Sequence, residues 1–130
     1  MENPNSKTQM TNEVQNPNNK IYDLEDRTAR FGENIIVFVK NLNNDSVNYV
    51  LIKQLVRSST SIGANYVEAD GAESKKDFKH KIALCKKEAK ETKHWLRMIA
   101  KANPEQTNHC KNLWQEAQEL TLIFSAIIKK

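Results

Sequence analysis

The sequence predicts an all-α protein, an antiparallel up-down-up-down four-helix bundle with a disordered N-terminal tail. Three observations carry that reading. Glycine and proline number only three each in 130 residues, whereas Lys, Glu, Ala, Leu, Gln and Ile are plentiful, a composition that forms helices rather than turns. From residue 24 to the end, apolar side chains recur in steps of three and four, the period of a helix with one buried face. That recurrence breaks at 41–45, 70–74 and 103–108, each rich in the Asn, Asp, Gly or Pro that stops or caps helices. A chain of this length buries enough surface to need no staples.

The elements follow in order. Residues 1–20 hold Asn, Gln, Ser, Thr and Pro with almost no large apolar group, so burial could not offset the entropy of ordering them. They are expected to be a disordered tail, and residues 21–130 the bundle. In the first helix Leu24, Thr28, Phe31, Ile35, Phe38 and Leu42 share one stripe, with Asp23 as N-cap. The second places Leu51, Leu55, Ser58, Ile62, Asn65 and Ala69 on its stripe and is capped by Asp45 or Ser46. The third runs through Phe78, Ile82, Cys85, Ala89, Thr92, Leu96 and Ile99, opened by Ser74 with Asp77 three residues on, close to a capping box. The fourth uses Leu113, Ala117, Leu120, Phe124 and Ile127, after Pro104. Helices of about 20 to 28 residues joined by short loops must lie antiparallel to their neighbours.

Some apolar residues fall off these stripes. Leu84, Trp95 and Met98 do so on the third helix, Ile36, Val37 and Val39 on the first, and Trp114, Ile123 and Ile128 on the fourth. They form either a wide seam or a subunit interface, since monomers rarely expose large apolar patches. The interface reading assigns Leu84, Trp95, Met98 and Trp114 to contacts between copies of a homo-oligomer.

Composition and motif spacing exclude several classes. The longest apolar runs fall far short of the roughly 20 residues that cross a bilayer, and the N-terminus lacks the apolar stretch of a secretory signal. The expected location is the cytoplasm. Cys85 and Cys110 show no CxxC spacing and no clustering with histidine, so they read as reduced thiols and no metal is expected. Ser58, Ser59, Thr60 and Ser61 have no histidine nearby in sequence, no glycine-rich phosphate loop occurs, and the acids lack the Glu and Glu-x-x-His pattern of a di-iron bundle. The chain is therefore expected to be non-enzymatic, with no cofactor, no catalytic residue and no small-molecule substrate.

The stretch from Gln54 to Leu96, QLVRSSTSIGANYVEADGAESKKDFKHKIALCKKEAKETKHWL, resembles the four-helix-bundle family encoded by intervening sequences in bacterial 23S ribosomal RNA genes, also called the S23 family. The matching features are the run RSSTSIGANYVEA, a short polar loop, then S-x-x-DF and a helix with spaced Glu before WL. The resemblance implies an up-down bundle assembled as a ring-like homopentamer, with no known enzymatic activity in most members. A related branch, the accessory protein of diversity-generating retroelements, implies DNA or RNA and a reverse transcriptase as partners.

Charge concentrates on the third helix. Ten cations between Ser74 and Lys101, among them Lys75, Lys76, Lys79, Lys86, Lys87, Lys90, Lys93 and Arg97, face three carboxylates, a net charge of +7, while the other helices together are close to neutral. One reading is a solvated face; the other is a nucleic-acid-binding surface that contacts phosphate without reading sequence. Among aromatic residues on this helix, only Trp95 is a stacking candidate, and His80 and His94 read as surface histidines. If the second and third helices are antiparallel, Arg57 comes near Glu88 or Glu91, a structural ion pair; phosphate binding is its alternative role. Ser58, Ser61, Gly63 and Ala64 are small enough for a neighbouring helix to approach. Two functions remain, a nucleic-acid-binding oligomer or a protein-interaction scaffold.

Overall fold

A computed structural model describes residues 23–130 of the chain. The polar tail over residues 1–20 lies outside the described residues. Four α-helices follow: α1 over Leu24–Val39, α2 over Ser46–Asp70, α3 over Lys75–Ala102 and α4 over Thr107–Lys129, with a short 3-10 turn at Pro104–Gln106 between the last two. Among the described residues, no helix is long and apolar enough to cross a membrane. Facing pairs step in opposite directions along α2 and α3: Glu68 meets Lys81, Ile62 meets Cys85 and Ser58 meets Thr92. The same reversal relates α1 to α4, where Arg27 reaches Glu116 and Phe38 reaches His109. The bundle is up-down-up-down.

The helix boundaries follow local chemistry. Asp45 has an extended backbone, and its carboxylate accepts from Asn48 N at 2.8 Å. Ser74 does the same for Asp77 N at 3.0 Å. Asp23 stands at the start of α1 but does not cap it with its side chain. Its backbone has φ −102 and ψ 17 rather than the extended geometry that aims a capping oxygen back at the helix. At 16 residues α1 is shorter than the spacing predicts. Beyond Val39, Asn41 N and Leu42 N turn back to Phe38 O and Val39 O, tightening the last turn, while the Asn41 amide caps Val37 O. Leu42 still packs against the core.

The buried seam joins Leu24, Phe31, Ile35 and Phe38 of α1, Leu55 and Ile62 of α2, Ile82, Cys85, Leu96 and Ile99 of α3, and Leu113, Leu120 and Phe124 of α4. α3 packs closely on both α2 and α4, and α1 on α2. By contrast α1 and α4 approach little and leave a groove of about 780 Å³ spanned by the Arg27 ion pairs. Two buried polar pairs lock the seam between α2 and α3. Asn48 at the start of α2 and Asn103 at the end of α3 exchange side-chain amide bonds of 3.0 and 2.9 Å. Midway, Thr92 Oγ1 donates to Ser58 Oγ at 2.9 Å. Such pairs stabilise one register, because any slip would leave buried amides or hydroxyls without partners. A Cβ on Gly63 would stand 3.4 Å from Thr28 Oγ1 and 3.6 Å from Ala29 N. α1 therefore comes close here without demanding glycine.

Candidate nucleic-acid interface

At about 100° per residue, the ten cations of α3 do not share one face. Lys81 falls beside α2, where its ammonium donates to Glu68 at 2.7 Å. That pair raises the Lys81 pKa. Lys76 and Lys87, both exposed, point directly outward with His80 and His94. Lys75, Lys79, Lys86, Lys90, Lys93 and Arg97 follow spacings of four, seven, four, three and four, a single stripe turned toward α4. From Lys79 to Arg97 that stripe extends about 27 Å.

The carboxylates of α3 sit on the opposite, α2-facing flank. Arg57 of α2 bonds Glu88 at 3.5 Å and also pairs with Glu91. Its Nε donates to Gln54 at 3.1 Å. The Trp95 indole N–H donates to Glu91 at 2.8 Å. That bond, and secondarily the Arg57 charge, hold the Glu91 carboxyl below its ordinary range against the opposing effect of burial. With the Arg57 side chain 46% exposed, the pair contributes only about 0.5–1 kcal/mol. α4 segregates its acids similarly. Arg27 of α1 donates two bonds of 2.8 Å to Glu116 and a third of 2.8 Å to Glu119, which places both carboxylates on the α1 side.

What remains between α3 and α4 is a face of one sign. Among the described residues, no cation of the stripe makes an ion pair. Lys90 and Arg97 are exposed, whereas Lys79, Lys86 and Lys93 are half-buried along their stems. Lys93 differs from its neighbours. It donates to Gln118 of α4, and its Nζ lies 5.0 Å from the centre of the Trp114 ring, within cation–π range. Exposed Lys111, one turn before Trp114, adds a further cation from α4.

The four interface candidates divide between these flanks. Leu84 and Trp95, eleven residues apart, are half-buried toward α2, and Met98 is half-buried one turn beyond Trp95; Trp114 sits across α3 from Trp95, 37% exposed on the basic side. They do not form one patch. Exposed large apolar side chains instead concentrate on the first two helices, at Ile36, Val37, Val47, Tyr49, Val50 and Val67. Sequence spacing alone pointed to neither Trp114 as a member of the basic face nor the Arg27 cluster. The signals were available only in part, since Arg27 and Glu116 are 89 residues apart.

Burial pushes the Cys85 thiol up to about 12 and the Cys110 thiol up to about 11, far from a reactive thiolate at neutral pH. Among the described residues no group of three or more His, Cys, Asp or Glu converges as a metal site. The hydroxyls of Ser58 to Ser61 bond backbone carbonyls of their own helix or Thr92.

Comparison with known proteins agrees with the architecture. Among the curated proteins, none matches the chain. The crystal structure of a protein with unknown function from the S23 ribosomal protein family of Bacteroides thetaiotaomicron is similar, with 33% sequence identity and a TM-score of 0.75. The similarity covers 82% of this chain and 98% of that one. The family model described as 23S rRNA-intervening sequence protein matches residues 20–126. Those residues span nearly the whole bundle, and the chain belongs to the 23S rRNA-intervening sequence protein family.

Proposed function

We propose that the protein is a non-enzymatic cytoplasmic binding module that holds DNA or RNA by its phosphate backbone, through the α4-facing flank of α3. One observation carries the reading: Glu88 and Glu91 of α3 pair with Arg57, and Glu116 and Glu119 of α4 with Arg27, on other flanks, leaving Lys79, Lys86, Lys90, Lys93, Arg97 and Lys111 on one face without a carboxylate partner among the described residues. Flexible lysines supply charge but no fixed donor pattern against base edges, so binding is indifferent to sequence. The protein works as a homo-oligomer, a pentamer, which repeats that face around a ring and multiplies its field. Exposed apolar groups on α1 and α2, such as Val37, Tyr49 and Val67, supply the surface for assembly and leave the basic flank free.

The test is a salt titration. Log affinity should fall linearly with log salt, by about 0.9 for each phosphate neutralised on duplex DNA. Replacing Lys86, Lys87, Lys90 and Arg97 together by Ala should flatten that line while helicity is kept. Lys93 is left intact because it also packs on α4. A wild-type protein that binds neither duplex nor single strands at about 50 mM salt overturns the reading and leaves a protein-interaction scaffold. Light scattering that finds a 15.0 kDa monomer at micromolar concentration overturns the oligomer.

A further inference from the structure

The bundle holds two tryptophans in contrasting settings, and only one is placed to meet a polynucleotide. Trp95 is half-buried on the α2 flank, its N–H bonded to Glu91 and its neighbourhood acidic through Glu88 and Glu91. Those acids are compensated by Arg57, so no cationic field draws phosphate there. Trp114 lies on the basic flank, more than a third exposed, with the Lys93 ammonium 5.0 Å from its ring centre. Lys93 is itself tied to Gln118, one turn further along α4. Cation and amide thus steady a large aromatic surface beside the cation stripe of α3.

A cation stripe alone suits any polyanion. An exposed indole within it adds a contact that discriminates, because a base can stack on it only after leaving its own stack. In a duplex every base is already stacked and paired, and extruding one costs a few kcal/mol. In a single strand the bases are available at little cost, and stacking on an aromatic side chain is indifferent to sequence. We infer that Trp114 is a base-stacking platform, and that the α3–α4 face takes single-stranded nucleic acid in preference to duplex. This rests on the proposed polynucleotide binding and specifies its substrate class.

The experiment uses the full chain carrying Trp95→Phe, so that Trp114 is the sole indole, with oligo(dT) and a mixed-sequence duplex of equal length at about 50 mM salt. Oligo(dT) should quench Trp114 fluorescence, and duplex should not. Trp114→Ala should weaken oligo(dT) binding roughly 5- to 100-fold while leaving duplex affinity and the salt slope unchanged; Trp114→Phe, which keeps a ring, should retain most of the binding. Circular dichroism and light scattering of both variants report fold and assembly. Equal losses for both ligands, unchanged oligo(dT) binding, or an altered assembly size would each overturn the inference while polynucleotide binding stood. A protein that bound neither ligand would remove the function and the inference together.

Discussion

The two flanks of α3 are cut from the same 28 residues, yet one is charge-compensated and the other basic. On the side that meets α2, charges are compensated: Glu88 and Glu91 answer Arg57, Lys81 answers Glu68, and the Trp95 N–H completes the shell of Glu91. On the side that meets α4, cations stand together and the partner helix offers Gln118 and Trp114 instead of acids. A helix's net charge therefore says little about the field it presents. What matters is which of its charges are cancelled by the helix next to it, and screening at physiological ionic strength leaves only groups within about 8 Å to cooperate. By this measure six of the ten cations of α3, those of the stripe turned toward α4, are left to act together.

The comparison can be broken experimentally. The largest effect is expected from reversing the basic flank: Lys86→Glu, Lys90→Glu and Arg97→Glu together should lower polynucleotide affinity at least about 100-fold with little change in melting temperature. Filter binding and thermal denaturation check both halves. A loss of stability equal to that of a core variant would mean that these cations are not free. Next comes Asn103→Ala at the end of α3, beyond either set of charges. It removes one partner of a buried amide pair and should cost about 1–3 kcal/mol in chemical denaturation without altering affinity.

Arg57→Ala, on the compensated flank, should cost about 0.5–1 kcal/mol and leave nucleic-acid affinity unchanged. Lost binding at an unchanged melting temperature would instead make Arg57 a phosphate ligand. Glu91 sharpens the contrast through pH. Its folded pKa lies below the ordinary value, so its contribution to stability is complete above the unfolded pKa, about 4.3, and is lost as pH falls through the folded value. Glu91→Gln should thus lower the melting temperature at pH 7 and lower it progressively less below about pH 4.3. Smallest of all, Cys85 and Cys110 should react with a thiol reagent only on unfolding, since both are buried with raised pKa values.

Much of the fold was legible in the sequence because helical periodicity is local. Leu24, Phe31, Ile35 and Phe38, or Ile82, Cys85, Leu96 and Ile99, announce a buried stripe from spacing alone, and those side chains are buried. Ser74 and Asp45 announce caps for the same reason, as the bond they make spans three residues. The end of α1 was less legible, because Leu42 keeps the period while the backbone tightens into a turn. The tightening involves Asn41, whose side chain competes for Val37 O.

The sequence by itself determined the four amphipathic stripes, their short connections and the excess of cations on the third helix. Periodicity and composition need only neighbours within about one turn. Only the tertiary structure decided which cations remained unpaired, that Trp95 and Trp114 lie on opposite flanks, and that Asn48 clasps Asn103. Those outcomes depend on how helices far apart in the chain rotate and slide against one another, and Arg27 with Glu116, 89 residues away, or Asn48 with Asn103, 55 away, leave no periodic trace in either segment. A residue's spacing chooses its face, but the helix packed beside that face chooses whether its charge is spent or left available.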